Sequence, residues 1–189
     1  MIKNTQKLKT LYRELYSSLP DSYVDPIYPF CVQVGDMWEQ SSPRCLFVGK
    51  STNGWVTDSR NVDDLFDPTH DDRIANRHDQ MEWVHDLEGN EKYNTKTSAF
   101  WRLVKKVSSN YFGSQWYRHI AWSNVYKLSH QKGNPKKWLR DLQRDLCVEI
   151  LNHEIELLNP DFVVFLTSGW EKFYTNSISL SLSKSEDFK

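Results

Sequence analysis

The chain has 189 residues, enough for one domain with a real core and too few for two comfortable ones. Its 24 Lys and Arg stand against 25 Asp and Glu, a formal net charge of −1, so no overall basic field draws it to nucleic acid. Cys31, Cys45 and Cys147 are far apart and form no CxxC, which argues against a zinc ribbon or a disulfide framework and for a reducing, cytoplasmic setting.

The amino-terminal stretch is charged and amphipathic, unlike a signal peptide, and no apolar run reaches membrane-spanning length, so a soluble protein with no membrane partner is expected. Leu8, Leu11, Tyr12, Leu15 and Tyr16 recur at helical spacing and predict an outer helix over 4–18, capped by Asn4 or Thr5 and stopped before Pro20. Residues 20–43 are irregular and aromatic, with a short strand expected at 31–34.

Cys45 to Val48 is an uninterrupted apolar run of the kind that fills a strand buried on both faces. Gly49 ends it and opens the loop Lys50-Ser51-Thr52-Asn53-Gly54, rich in hydroxyls and amide at the expected carboxyl end of a strand, where open α/β sheets hold ligands. Residues 57–97 then form a long polar segment with ten acidic residues between Asp58 and Glu88 and almost no apolar periodicity, read as a lid or insertion. Asp71, His78 and His85 within it match no known metal spacing, and no metal site is expected.

Ser98 caps an expected helix through Ser109 whose inner face holds Phe100, Trp101, Leu103, Val104 and Val107. Residues 120–125 read as the second strand, with Asn124 near its end. Asn134 and Pro135 form a cap plus first-turn proline for a long helix that ends at Asn159-Pro160. A third buried strand is expected at 161–167, a short helical segment at 169–174, and an alternating edge strand or a frayed tail at 178–182. Strands alternating with helices predict an α/β fold with a parallel sheet. Eight Trp, nine Tyr and nine Phe supply mostly core.

Three pieces, LFVGKSTNGW (46–55), WSNVYKLSHQKGNPKKW (122–138) and CVEILNHEIELLNPDFVVFLTSGWEKF (147–173), together resemble the uracil-DNA glycosylase superfamily, particularly its compact bacterial and archaeal branch. The matched stretches cover about three residues in ten of the chain, in the family's order. The resemblance implies a single three-layer α/β/α domain with a short parallel sheet of order 2-1-3-4, acting on a pyrimidine base turned out of DNA. Such chemistry builds negative charge on the leaving base, so a site must hold its edge, stack its face and stabilise its oxygen.

Asn124 stands where the family's base-reading asparagine stands, and an amide places a donor and an acceptor side by side as the uracil edge requires. Read without the resemblance, Asn124 caps the strand end. Gly49, Ser51 and Asn53 fall in the family's water-positioning loop, although Ser51 replaces the aspartate or asparagine of some branches. Trp55, Tyr93 and Phe100 are the candidates for stacking on the base.

Two features depart from the family. No histidine follows His153, so the leaving-group histidine is either lost or lies beyond the last residue. The iron-sulfur cysteines are missing apart from Cys147, and no cofactor is expected. A basic stretch containing Lys127, His130, Lys132, Lys136, Lys137, Arg140 and Arg144 follows the asparagine, fitting either DNA phosphates or a solvated helix face.

The expected partner is therefore DNA or a small-molecule base. The rival reading is an inactive binding module of the same fold that engages a protein through the acidic insertion. GKSTNG also has the letters of a phosphate loop, without its GxxxxGK[ST] spacing.

Overall fold

A computed structural model describes residues 5–52, 55, 59–66, 81–85 and 95–174. In chain order these form α1 (Gln6–Ser17), β1 (Tyr28–Pro29), β2 (Gln33–Val34), β3 (Cys45–Gly49), α2 (Glu82–His85), α3 (Ala99–Phe112), β4 (Ile120–Asn124), β5 (Leu128–Ser129), α4 (Lys137–Leu158) and β6 (Phe162–Phe165), with short tight helical turns between several of them. The fold is α/β, as the alternation of strands and helices implied.

The main sheet runs in the order β2-β4-β3-β6. Its three longer strands are parallel, with Phe47 opposite Trp122, Gly49 opposite Asn124 and Cys45 opposite Phe162. Counting only those strands along the chain, the order is second, first, third, the first three places of the expected 2-1-3-4. The fourth place rested on 178–182, which lies outside the described residues.

The sheet is mixed rather than wholly parallel, because β2 pairs antiparallel with β4 at the sheet edge. Gly35 ends that edge strand by donating its N–H to the Ile120 carbonyl at 2.9 Å. A Cβ on Gly35 would lie 2.2 Å from the Arg118 carbonyl oxygen, a close approach that only glycine permits. β1 and β5 form a separate two-stranded antiparallel pair.

Side chains alternate across the central strands and so feed two layers. Leu46, Val48, Ala121 and Val125 pack with Cys147, Leu151 and Ile155 of α4, while α1 lies against α4 through Leu8, Leu11, Tyr12 and Leu15. Phe47, Cys45, Ile120 and Trp122 face the other way, onto Trp101 and Val104 of α3 and onto Phe30 and Trp116. That second layer is mostly aromatic, with Trp122 at 4.9 Å from Trp101 and 4.6 Å from Phe30 between ring centres.

Several element boundaries differ from expectation. Asn134 and Pro135 precede the long helix without starting it: Lys136 holds the cap position, with no side-chain cap bond. Its end is as read, with Asn159 in the left-handed region at φ 43° and its N–H on the Ile155 carbonyl at 2.8 Å. Ser98 caps α3 by accepting from the Trp101 N–H, but the helix continues past Ser109 to Phe112 and Leu103 is exposed. The third strand is not buried either. Phe162 is 59% exposed and its three successors are half-buried, because among the described residues β6 has a neighbour on one side only.

The described parts of 57–97 are less polar in role than in composition. Val62, Leu65 and Phe66 join the core under α1, and Met81 and Val84 join the aromatic layer. Asp63, counted among the acids of a partner surface, is paired within the chain to Lys9 at 3.0 Å and Arg13 at 3.2 Å. Asp71 and His78 lie outside the described residues, and among those described no group of three or more His, Cys, Asp or Glu is arranged to hold a metal ion. No helix among them is long and apolar enough to cross a membrane.

Candidate functional site

The two central strands end together. Beyond the ladder the Val125 N–H donates to the Gly49 carbonyl at 2.8 Å and the Tyr126 N–H to that of Lys50 at 3.0 Å, so the β3 and β4 ends stay locked as they leave the sheet. This fixes Gly49 beside Asn124 on the aromatic side of the sheet, two residues beyond the Phe47–Trp122 pair. Asn124 is buried, and its Oδ1 lies 2.5 Å from where a Cβ on Gly49 would be. Phe100 Cε2 approaches the same point at 3.3 Å. Glycine is needed here for space rather than for a turn.

The Asn124 Nδ2 is buried and donates to no group among the described residues. Ser51 Oγ is likewise buried without a partner among the described residues. An unmade bond of this kind costs about 1–3 kcal/mol when nothing replaces water, so such groups sit where a ligand or solvent completes them. Thr52 is anchored instead, with its hydroxyl 2.8 Å from that of Ser129, tying the loop to β5. Asn53 and Tyr93 lie outside the described residues.

Of the stacking candidates, Phe100 touches the Gly49 position and Trp55 does not stand free. The Trp55 ring packs against Phe30 and Trp122 at 5.3 Å each and Trp83 at 5.8 Å. The indole nitrogens of Trp55 and Trp122 are both buried and without acceptors among the described residues. Asn124, Trp55 and Trp122 thus bring three donor nitrogens without acceptors among the described residues to one aromatic layer.

The basic stretch divides. Lys127 is fully buried and faces α4, where its Nζ donates to Glu154 Oε2 at 2.7 Å and Ser123 Oγ at 2.6 Å, and Ser123 donates to the same Glu154 oxygen at 2.6 Å. It is therefore a core cation and not a phosphate contact, a correction that follows from the cost of leaving Glu154 buried alone. Gln143 holds the same segment by accepting from the Lys127 and Leu128 N–H groups and donating to the Leu128 carbonyl.

Lys132, Lys136 and Lys137 are exposed, with Lys137 paired to Asp141 along the helix. His130 adds no charge to them. Burial, and then repulsion from Lys136, hold its imidazole below the ordinary value.

A second cationic group lies closer to the strand ends. Lys50 Nζ sits 5.4 Å and Arg140 Cζ 4.9 Å from the Trp170 ring, with Tyr126 edge-on to the same ring at 5.6 Å. Sequence reading missed this group, because its members are brought together from three separate segments. It missed Gln143 and Glu154 too, although they fall with Cys147 and Ile150 at the helical spacing that marks the inward face of α4.

The described residues thus define a three-layer α/β protein with unspent amide and hydroxyl groups at the carboxyl end of its two central strands, the position where open α/β sheets take ligands. No protein-family model, no curated protein and no solved structure matches the chain.

Proposed function

We propose that this chain is a uracil-DNA-glycosylase-like protein that reads a pyrimidine base of DNA through Asn124 and cleaves its bond to the sugar. The observation that carries the reading is the buried, undonated Asn124 amide pressed against Gly49 at the carboxyl end of the sheet. An amide in that state suits the paired acceptor and donor of a uracil edge, and the neighbouring N–H groups suit an oxygen-rich ring. Phe100 is the stacking partner, and Gly49 leaves the space that the Asn124 amide occupies. Ser51, with Asn53, takes the water-facing role. Three free, buried cysteines are compatible with the reducing cytoplasm in which such a protein would work.

The test is base release from single- and double-stranded oligonucleotides containing uracil. Abasic product is expected from the natural protein, and Asn124→Ala is expected to lower the rate by about a hundredfold or more, the scale of losing one donor to a developing oxyanion.

A binding module of the same fold is favoured by one feature, the neutral hydroxyl at Ser51, a weak activator of water compared with a carboxylate. That reading predicts oligonucleotide or free-base binding without product. If neither product nor binding is found, the acidic segment 57–97 and a protein partner become the subject.

A further inference from the structure

We infer that Trp122 holds its indole N–H for the ring carbonyl beside the bond that breaks, and so stabilises the base as it leaves. The inference rests on the proposed base reading by Asn124 and adds to it the group that takes up the developing charge.

The indole is a donor held where its own neighbours accept nothing. Trp122 is 6% exposed, and its Nε1 has no acceptor among the described residues. The groups around it are rings: Phe30 at 4.6 Å, Trp101 at 4.9 Å, Trp55 at 5.3 Å, Trp83 at 5.8 Å and Phe100 at 6.0 Å between centres. Packing in such a layer asks for no N–H, and a buried donor left unmade carries a cost that an apolar ring avoids. An acceptor that arrives with a ligand removes that cost.

Position selects the acceptor. Trp122 and Asn124 lie two apart on β4, and Ser123 between them turns the other way, to Glu154 of α4, so both project into the aromatic layer. Their spacing along the strand is roughly 7 Å, comparable with the span of a pyrimidine and its ring oxygens. Phe100, the stacking ring, reaches both. Its Cε2 lies 3.3 Å from the Cβ position of Gly49, where the Asn124 Oδ1 also arrives, and its ring packs 6.0 Å from that of Trp122. A pyrimidine laid on Phe100 with one edge at Asn124 turns its next carbonyl inward, toward the indole. Trp55 carries the other such N–H, but it comes from the loop after β3 and is held by Phe30, Trp83 and Trp122 rather than by a strand of the sheet.

In the hydrolysis, the bond between the sugar C1′ and the base nitrogen breaks and both its electrons leave with the base, where the charge spreads to the adjoining carbonyl oxygen. Water adds its oxygen to C1′ and gives up a proton that ends on the base, so the products are an abasic sugar and a neutral pyrimidine. The indole keeps its proton throughout. Its hydrogen bond to the oxygen strengthens as the charge grows, and more so in a buried layer of rings than in water.

The experiment measures single-turnover base release from oligonucleotides containing either uracil or 5-fluorouracil, whose ring nitrogen is the more acidic and leaves more easily without help. The natural protein is compared with Trp122→Phe, which removes the N–H and keeps a ring, and with a form carrying at position 122 the benzothiophene analogue of tryptophan, which keeps both rings and lacks only the N–H. Trp55→Phe tests the other indole, and Trp101→Phe makes the same change in ring size beside Trp122. Thermal melting shows that each variant folds.

Both changes at Trp122 are expected to slow the release of uracil about a hundredfold and that of 5-fluorouracil much less, with the half-saturating concentration little changed, because the charge appears only in the transition state. Trp101→Phe should affect the two bases alike. Equal losses for the two bases in the Trp122 variants, no loss with the benzothiophene analogue, or the base-selective loss in Trp55→Phe instead would each overturn the role of Trp122, while release by the natural protein keeps the glycosylase reading. No release of either base by the natural protein would remove that reading and this inference with it.

Discussion

Gly49 and Asn124 face each other across the β3–β4 ladder so closely that a single methyl group on Gly49 would lie 2.5 Å from the asparagine Oδ1. Since Phe100 closes the same space at 3.3 Å, the amide has nowhere to retreat without moving the aromatic layer. Gly49→Ala should therefore cost about 1–3 kcal/mol in urea denaturation, the usual penalty for overpacking. Base release or base binding should fall as far as in Asn124→Ala. Combining the two substitutions should recover part of the stability and none of the function, because removing the amide opens the space that the methyl needs.

The Lys127–Glu154 pair makes a different prediction. Both side chains are fully buried, so removing one strands the other charge. Lys127→Met is expected to lose about 3–5 kcal/mol of stability, and Lys127→Met with Glu154→Leu distinctly less. A double-mutant cycle by chemical denaturation measures the coupling. If Lys127 were instead a surface phosphate contact, the single substitution would leave stability unchanged and flatten the salt dependence of strand binding.

The thiols should be silent in the folded protein. Burial pushes Cys147 up to about 12 and Cys31 higher still, and burial raises Cys45 as well. Because the thiolate is the reactive form, Ellman's reagent at pH 8 should find almost no reactive cysteine in the native state and all three after unfolding in guanidinium. Rapid labelling of Cys147 in the native state would mean that the packing of α4 against the sheet opens readily.

Acid should weaken the fold before its carboxylates titrate. His119 and His130 are both held below the usual 6.5, first by burial and then by Arg118 and Lys136 respectively. Each binds its proton more readily in the unfolded chain, so the stability they contribute is complete above pH 6.5 and is lost as pH falls from there through their lower folded values. The urea midpoint is expected to drop between pH 7 and pH 5, and His119→Gln/His130→Gln should flatten that drop. Asp63 and Asp141 are held low by their lysine and arginine partners, and their contribution is lost only at more acid pH, as they protonate.

Local chemistry made much of the scaffold legible in the sequence. Apolar runs at 45–48 and 120–125 located two fully buried strands, Ser98 announced α3, and Asn159-Pro160 marked the end of α4, because each depends on neighbours a few residues away. Even the placement of Gly49 beside Asn124 was within reach once a parallel pairing was assumed. The composition of 57–97 was less informative, since a few apolar residues such as Leu65 and Met81 reach the core without any periodic pattern to announce them.

By itself the sequence determined the type and order of the longer elements and put an asparagine and a glycine at the ends of adjoining strands. Only the tertiary structure decided what each charge is for. Lys127 and Lys136 are the same residue type in one basic stretch, yet one is enclosed with Glu154 and the other is solvated. Lys50 and Arg140, 90 positions apart, meet on Trp170. A side chain's charge is written in its chemistry, but its dielectric surroundings and its partners come from segments distant in the chain, and those exist only after folding.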